Sequence, residues 1–487
     1  MGSTTVNNDG HQKKSWMFWR RKRHLLTFLA FLGFVKVYLL KVSVGVAVVA
    51  MTSPYNTTLD NGTVVEGRDF DWDSKMQGVF LSSYFYGQVS SQLFGGWLGA
   101  RVGGARLFGW CIGVTALLTT ITPPVAFANF YLLLLTRAVK GFFEGMAYPC
   151  IQEILAKWAP SQERATMVGI VFSGIPIGTV IGFQTVGLIA DYLGWTFIFY
   201  ITGLLGVLWS VVWLLVVKDR PEFDPNISPE ELKFIHDGIG ITTDNEKVNY
   251  PWIKLCTSVP IWAVTVAIFC ENWGHITFIT QLPTFMKDVY DLRLSKSGAI
   301  MSLPYIVQGI AMQLTGRLAD WLLNEKILTQ TQIRRLFGSG TFFLQGAVLM
   351  LSTQLTSVSG VILCLIILLG SQSFLAPILP KNCLDLSPQH ASVIFGLCLT
   401  LGSTPGIFSS LVSGFIVTDK SKEQWQIVFY IATTLYVFGG IFYGVFSSNE
   451  LQPWALDGTP LPVKDHVNSK KPTNNDDRKE INGGQVL

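Results

Sequence analysis

The chain has 487 residues, of which 49% are hydrophobic and only 14% are charged. Soluble globular proteins carry about 25% charged residues, so this composition excludes an ordinary soluble domain and points to the lipid bilayer. The net charge of +4 is too small and too scattered to indicate a nucleic-acid partner.

A series of apolar runs, each long enough to cross a bilayer, follows along the chain. A span needs about 20 apolar residues to cross a hydrocarbon core about 30 Å thick, and a helix satisfies its own backbone hydrogen bonds in lipid. The runs cover residues 25–51, 77–100, 107–126, 129–151, 166–189, 195–217, 253–280, 296–320, 337–353, 359–381, 392–417 and 425–447. We therefore predict an all-α membrane protein with twelve transmembrane helices.

Basic residues lie on one side of this predicted bundle, which fixes its orientation by the positive-inside rule. They precede the first span and occupy the even-numbered turns, as Lys13, Lys14, Arg20, Arg21, Lys22, Arg23, Arg101, Arg106, Lys157, Arg164, Lys326, Arg334 and Arg335. Loop 52–76 is acidic instead and holds glycosylation sequons at Asn56 and Asn61. We expect both termini in the cytosol, a glycan on Asn56 or Asn61, and a third sequon, Asn226, facing the cytosol.

The sequence repeats itself across a central polar segment. Two motifs return about 230 residues later: Arg106-Leu107-Phe108-Gly109 as Arg335-Leu336-Phe337-Gly338, and Trp195-x-x-x-Phe199-Tyr200-Ile201 as Trp425-x-x-x-Phe429-Tyr430-Ile431. Such a repeat indicates two six-helix halves with the same orientation, the major facilitator arrangement. The predicted segments are a cytosolic N-terminus (1–24), a first half (25–217), a cytosolic linker (218–252), a second half (253–447) and a cytosolic tail (448–487). Trp195 and Trp425 border polar turns, where anchoring at the membrane interface is expected.

The fourth span carries three charged residues, although each charge near the bilayer centre costs roughly 3 kcal/mol on insertion scales. Arg137, Lys140 and Glu144 are three and four residues apart, so they share one helical face. A guanidinium on an inward face suits a carboxylate or phosphate, and a buried glutamate could exchange a proton during transport. The alternative is an ion pair of Glu144 with Arg137 or Lys140 that only holds the helix in the bundle.

Other spans contribute further ionisable groups. Lys41 lies deep in the first span and is favoured as a second anion contact over a structural partner for Glu144 or Glu271. Glu271 and His275 are four residues apart in the seventh span and form either a proton relay or a hydrogen-bonded pair. In the tenth span Lys381 and Asp385 are interpreted as a gate or ion pair.

Motifs for nucleotide-driven pumping or hydrolysis are missing. The chain has no P-loop, no H-E-x-x-H and no G-x-S-x-G sequence. Its seven cysteines lie in or next to apolar runs without a C-x-x-C spacing, so neither a disulfide framework nor a zinc site is expected. We therefore predict that the protein is not an enzyme and has no catalytic residues. We also predict no metal site and no cofactor apart from a coupling ion.

Four segments resemble the anion:cation symporter family, which includes the vesicular glutamate carriers, the lysosomal sialic-acid exporter and the type I sodium–phosphate carriers. They are Arg137–Arg164 (RAVKGFFEGMAYPCIQEILAKWAPSQER), Tyr84-Phe85-Tyr86-Gly87 with Gln92-Leu93-Phe94-Gly95-Gly96, Asn382-Cys383-Leu384-Asp385-Leu386-Ser387-Pro388, and Glu423-Gln424-Trp425-Gln426 through Pro453-Trp454-Ala455. The similarity covers roughly residues 25–456 and is greatest to invertebrate carriers grouped with sodium–phosphate cotransporters.

The resemblance implies roles for several residues. It makes Arg137 an anion-binding arginine and Glu144 a coupling carboxylate, and Lys41 stands at the first-span arginine position. Lys140 replaces an acid of the sialic-acid exporter and a glutamine of the glutamate carriers. Gln152 and Cys383 replace family histidines, and Glu271 lies where the glutamate carriers have arginine.

The resulting hypothesis is a secondary active symporter that moves a small organic or inorganic anion with Na+ or H+ by alternating access. Its expected substrate contacts are Arg137, Lys41 and Tyr84, and its expected coupling or gating residues are Glu144, Lys140, Glu271, His275 and Asp385. The alternative is a transporter-like receptor or scaffold that binds an anion without net transport. The expected partners are the anion, the coupling cation and the lipid bilayer, in either a plasma membrane or a lysosomal or vesicular membrane.

Overall fold

The structure is a computed structural model that describes residues 21–58, 64–160, 163–239, 252–291, 294–329, 332–333, 335–355, 357–375, 378–387, 391–448 and 450–452. Several sequence predictions concern residues outside these ranges. They are the sequon at Asn61, the N-terminus up to residue 20, linker residues 240–251 and the tail from residue 453 onward.

The described residues of the first half form eight helices, which occupy the first six predicted spans. Their bounds are α1 Lys22–Thr52, α2 Ser74–Val102, α3 Gly104–Thr120, α4 Thr122–Ala128, α5 Phe130–Gly145, α6 Ala147–Trp158, α7 Arg164–Leu193 and α8 Trp195–Val216. Between α1 and α2, strand β1 (Tyr55–Thr58) pairs antiparallel with β2 (Val64–Gly67). This small hairpin, which the sequence did not predict, lies outside the helical bundle's spans.

The second half follows a linker that is partly helical. The linker contains a 3-10 turn at Pro221–Phe223 and helix α9 (Pro229–Ile239), and α10 (Trp252–Thr257) leads into the second half. The helices that follow are α11 Val259–Tyr290, α12 Leu294–Asn324, α13 Gly340–Gln354, α14 Val358–Gln372, α15 Ile378–Leu386, α16 Ala391–Gly402, α17 Pro405–Ile416 and α18 Lys422–Phe446. A π-helical turn at Arg335–Ser339 precedes α13.

Hydropathy alone identifies only part of these spans. Among the described residues, six helices are long and apolar enough to cross a membrane, and the α3–α4 pair, bent by 49°, makes a seventh. The other predicted spans are either broken into shorter helices, as at α5–α6 and α14–α15, or carry more polar residues, as in α2, α11 and α12. The helix order agrees with twelve spans in two six-helix halves, the predicted major facilitator fold.

Successive spans alternate in direction, so the bundle has two faces. At the face where α1 begins, here called the Arg23 face, the Arg23 guanidinium bonds Glu163 Oε2 at 2.8 Å and Glu231 Oε1 at 3.3 Å. Glu231 also accepts hydrogen bonds from the backbone N–H groups of Lys22 and Arg23. Linker helix α9 therefore caps the first turn of α1 and is fixed to the first half.

The opposite face, here called the Asp73 face, bears the predicted repeat as two equivalent contacts. Trp195 Nε1 donates to Asp69 Oδ2 at 2.7 Å, and Trp425 Nε1 donates to Asp288 Oδ2 at 3.3 Å. The glycine that ends the other repeated motif packs against an aromatic ring in both halves. A methyl group on Gly109 would collide with the ring of Trp213, and one on Gly338 with the ring of Tyr443. The two halves therefore reuse one packing scheme, as the sequence repeat predicted.

The same contacts correct the expectation for the two tryptophans. Trp195 is only 5% exposed and Trp425 only 2% exposed, so neither lies free at a lipid interface. Each indole N–H has an aspartate partner, and each indole meets a phenylalanine ring edge-on, Phe199 for Trp195 and Phe285 for Trp425. Trp195 ties α8 to the loop that holds Asp69, and Trp425 ties α18 to α11, so both act within a half instead of anchoring the bundle in the membrane.

The two halves meet closely near the Asp73 face. A methyl group on Gly78 of α2 would lie 2.7 Å from the Ser410 carbonyl oxygen and 3.1 Å from the Gly414 Cα of α17. On Gly414 a methyl group would in turn meet the Ser74 carbonyl oxygen. This close contact, here called the glycine seam, is possible because Gly78 and Gly414 have no Cβ. The seam joins α2 of the first half to α17 of the second half at the Asp73 face.

Candidate substrate-binding cavity

A small cavity lies between the halves, next to α1, α2, α5 and α11. Its polar lining consists of Lys41, Tyr84, Arg137, Lys140, Glu144 and Thr280. The rest of the wall is apolar, formed by side chains such as Leu40, Val44 and Phe85. Five residues that the sequence pattern singled out in three different helices are thus brought together at one place.

Close packing of α5 against α2 positions the charged face of α5. A methyl group on Gly141 would collide with the Tyr84 carbonyl, one on Gly145 with Ser91 and Gln88, and one on Gly87 with the Ala138 carbonyl. Gly141-x-x-x-Gly145 is therefore a helix-packing motif that contacts α2. Asn129 begins α5 by accepting hydrogen bonds from the backbone N–H groups of its first turn. The short distance between the backbones lets side chains from α5 reach the main chain of α2.

Arg137 of α5 is one side chain that reaches the main chain of α2. Its Nε donates to the Phe80 carbonyl oxygen at 2.9 Å, its Nη2 donates to the Leu81 carbonyl oxygen at 3.4 Å, and its guanidinium carbon lies 4.5 Å from the centre of the Phe80 ring. The side chain is 5% exposed. Within the described part of the chain Nη1 has no hydrogen-bond partner, so the fixed guanidinium keeps donors for a ligand.

Lys41 is held differently, by aromatic faces. Its Nζ lies 5.5 Å, 5.7 Å and 5.3 Å from the ring centres of Tyr38, Tyr84 and Phe85. These separations suit cation–π attraction, so the rings stabilise the ammonium without an oxygen partner among the described residues. The described residues offer Lys41 neither a hydrogen bond nor an ion pair within 4.0 Å.

Lys140 and Glu144 complete the charged wall and are each 3% exposed. The charges that act on Glu144 are those of Lys41, Lys140 and Arg137. None of the three forms an ion pair within 4.0 Å of this carboxylate among the described residues, so the tight Arg137–Glu144 or Lys140–Glu144 pair of the alternative interpretation is absent there. Three cations and one carboxylate leave an excess of positive charge facing the cavity.

Glu271 and His275 lie in α11 but outside this lining. Glu271 Oε1 accepts from Gln345 Nε2 at 3.4 Å, and His275 Nδ1 is 3.3 Å from Gln372 Oε1. Gln372 Oε1 also accepts from Gln308 Nε2 at 2.7 Å. The four-residue spacing does place Glu271 and His275 on one face, but each has a glutamine as its hydrogen-bond partner and the two do not bond each other directly.

The remaining predicted site residues lie elsewhere. Asp385 is near the end of α15 and partly buried, and it does not line the cavity. Asn56 is in β1, opposite Glu66 in the hairpin at the Asp73 face. The side chain of Lys381 lies outside what the structure describes.

Sequence reasoning missed Thr280, Gln345 and Gln372. All three are polar residues within apolar spans, a signal that would have found the two glutamines. Thr280 was less conspicuous because its hydroxyl bonds the Ile276 carbonyl of its own helix, as threonines in membrane helices commonly do.

Two helical halves around a charged internal cavity define a polytopic membrane carrier. Residues 26–410 match the Major Facilitator Superfamily. The chain is 32% identical to vesicular glutamate transporter 1 of Bos taurus over 438 residues, 89% of this chain and 78% of that protein. To vesicular glutamate transporter 2 of Homo sapiens it is 32% identical over 441 residues, 89% of this chain and 75% of that protein.

Solved structures share the fold at low sequence identity. A bacterial homolog of the human lysosomal transporter Spinster, in an inward-facing and unoccupied conformation, superposes with a TM-score of 0.69 at 13% identity, over 89% of this chain and 99% of that one. The D-xylose-proton symporter superposes with a TM-score of 0.63 at 12% identity, over 87% of this chain and 97% of that one. The chain belongs to the Major Facilitator Superfamily and, within it, to the anion:cation symporter family, also called the type I phosphate transporter family. It is a membrane transporter and not an enzyme, and no relative supports the receptor alternative.

Proposed function

We propose that this protein is a symporter that carries a small organic or inorganic anion together with Na+ or H+ by alternating access. The observation that supports it is the cavity between the halves, where Lys41, Arg137 and Lys140 face a single carboxylate, that of Glu144. The described side chains leave part of the positive charge in this cavity uncompensated, and a bound anion would supply the missing negative charge.

In this proposal Arg137 and Lys41 bind the anion from two sides. The guanidinium, fixed on the carbonyls of Phe80 and Leu81, offers its remaining N–H groups to a carboxylate or phosphate. Lys41 contributes a second positive charge, and Tyr84, whose hydroxyl lies beside the Glu144 carboxylate, lines the same cavity. Glutamate is the first substrate to test because the relatives are named as glutamate transporters.

Coupling requires that the cation change either the anion affinity or the balance between the two conformations. Glu144 is suited to the anion side of this coupling because it lies among the anion-binding cations. Its carboxylate competes with the anion for Lys41, Lys140 and Arg137, so a conformational change that alters this competition changes the anion affinity. Lys140, Glu271, His275 and Asp385 are proposed to support coupling or gating.

The proposed orientation puts both termini in the cytosol. The basic residues at the Arg23 face support it, as does the acidic loop with its sequons at the Asp73 face. In this orientation the glycine seam lies on the outer side, so the described conformation is closed outward.

Uptake by the purified full-length chain in proteoliposomes tests the proposal. Labelled phosphate, urate, glutamate, sialic acid and aspartate are offered one at a time, with a sodium gradient and a pH gradient imposed separately. We expect one anion to accumulate against its gradient, and Arg137→Ala to abolish this accumulation. Lys36→Gln is the matched control because Lys36 is on α1 one and a half turns from Lys41 and does not line the cavity.

Two results would contradict the proposal. Saturable binding of an anion without flux would favour a receptor instead of a carrier. Full transport by a correctly folded Arg137→Ala variant would show that the cavity is not part of the transport route.

A further inference from the structure

A second polar cluster is buried in the other half, away from the anion cavity. It consists of Glu271 and His275 of α11, Gln308 of α12, Gln345 of α13 and Gln372 of α14, here called the Glu271 cluster. Glu271 is 7% exposed and Gln345 is fully buried. Four helices thus direct polar side chains into a region that hydrocarbon surrounds.

Two acceptors of the cluster have no hydrogen-bond donor among the described residues. Glu271 Oε2 and Gln345 Oε1 are both buried without a partner among the described residues, and both are acceptors. The contact that joins the two side chains, from Gln345 Nε2 to Glu271 Oε1, is long at 3.4 Å. An unpaired buried acceptor is costly, and two of them in one cluster point to a missing donor or cation.

The cluster also lacks positive charge near Glu271. The groups that act on this carboxylate are the amides of Gln345 and Gln372, and no cationic side chain is among them. Its other polar neighbours are Cys270 of the same helix and Tyr436 of α18. Lys41 acts on His275, one turn further along α11, but not on Glu271 itself.

From the two unpaired acceptors and the lack of a cationic side chain acting on Glu271, we infer that the Glu271 cluster takes up the coupling cation, H+ or Na+, while the first half binds the anion. The inference rests on the proposed symport function. A proton on Glu271 would supply a donor for Gln345 Oε1. A sodium ion would instead be coordinated by oxygens of Glu271, Gln345 and Gln372, since hard cations prefer oxygen ligands. Either cation neutralises the only carboxylate of the cluster.

One helix connects the two sites. Glu271 and Thr280, which lines the anion cavity, are nine residues apart on α11, or about 13 Å along the helix axis. His275 lies between them and bonds Gln372 of the Glu271 cluster. A cation bound at Glu271 therefore acts on the same helix that faces the bound anion, which gives a physical route for coupling between the halves.

The ratio of two fluxes tests this inference. In proteoliposomes, exchange of labelled anion is measured with equal cation on both sides, and accumulation is measured with an imposed sodium or pH gradient. For Glu271→Gln we expect the ratio of accumulation to exchange to fall by about ten-fold or more, because the variant loses the cation's contribution. Glu230→Gln, an exposed acid on α9, is the control. Separate sodium and pH gradients distinguish the two cations.

A transport-independent measurement separates this inference from the proposed function. The thermal stability of wild type and Glu271→Gln is compared in sodium chloride and in N-methylglucamine chloride at equal ionic strength, and across pH. The inference predicts that the stability difference between the two proteins changes with sodium or with pH. It is overturned if that difference is constant under both, or if Glu144→Gln, and not Glu271→Gln, removes the response to the gradient. Gln345→Leu provides the same comparison should Glu271→Gln not fold.

Discussion

Arg137 Nε donates a hydrogen bond to the backbone carbonyl oxygen of Phe80 at 2.9 Å, so α2 fixes a charged side chain that belongs to α5. The guanidinium can hold these main-chain contacts and a ligand at the same time because it has five N–H donors in one plane. Lysine has the same charge but a single donor atom. The geometry therefore requires arginine at position 137.

Substitution of Arg137 tests that requirement. We expect Arg137→Lys to reduce anion uptake by about ten-fold or more, because loss of a charge-assisted pair costs about 1.5–3 kcal/mol. Arg137→Ala should abolish uptake. Initial uptake rates in proteoliposomes measure both, normalised to folded protein. Wild-type rates for Arg137→Lys would mean that charge alone suffices.

Lys41 is expected to act on affinity, since aromatic rings hold it and no described residue forms an ion pair with it. Lys41→Gln removes one of three cations from the cavity and should raise the KM for the anion by about ten-fold. Lys41→Arg keeps the charge and should raise it less. Saturation curves for the two variants provide the comparison, and an unchanged KM in Lys41→Gln would place the anion away from α1.

The glycine seam gives a prediction about conformation. A valine at position 78 would collide with the main chain of α17, so it should destabilise the closed seam by about 1–3 kcal/mol, typical of overpacking. We expect slower uptake and an outward-open bias in Gly78→Val. A cysteine introduced by Ser410→Cys should then react faster with a membrane-impermeant thiol reagent from the Asp73 face. Cys256→Ser is the background, because Cys256 is the exposed cysteine and the other six are buried. Equal labelling with and without Gly78→Val would contradict the bias.

Acid should weaken the contacts of the Arg23 face. The Arg23 guanidinium, helped by His24, lowers the pKa of Glu163 below its ordinary value of 4.5. The carboxylate therefore stabilises the fold above about pH 4.5, and this contribution is lost as the pH falls through the lowered pKa. Glu163→Gln should cost less than about 1 kcal/mol at neutral pH, because the pair is partly exposed. We expect the difference in thermal stability between Glu163→Gln and wild type to become smaller as the pH falls from neutral to below 4.5. A difference that grows in acid would contradict this prediction.

Glycosylation tests the orientation. We expect protein from a eukaryotic host to carry a glycan on Asn56 or Asn61, and Asn56→Gln with Asn61→Gln to abolish the mass shift caused by glycosidase. Peptide mass spectrometry identifies the modified site. A glycan on Asn226 alone would invert the topology.

The sequence predicted those features that depend on spacing along one helix. The shared face of Arg137, Lys140 and Glu144 follows from helical periodicity, and the two halves follow from the repeated motifs. Contacts between distant helices were not predictable in this way. Gln345 and Gln372 reach Glu271 and His275 only because α13 and α14 pack on α11, and the burial of Trp195 depends on Asp69 in a distant loop.

Each half has its own tryptophan contact near the Asp73 face, Trp195 with Asp69 in the first half and Trp425 with Asp288 in the second. Neither tie crosses from one half to the other, so both can stay intact while the halves tilt. A rocking motion of the halves therefore changes few contacts within either half. Its energetic cost comes from the contacts between the halves. Sequence changes that alter turnover without touching the substrate are therefore to be sought where α2 meets α17, and not in the loops.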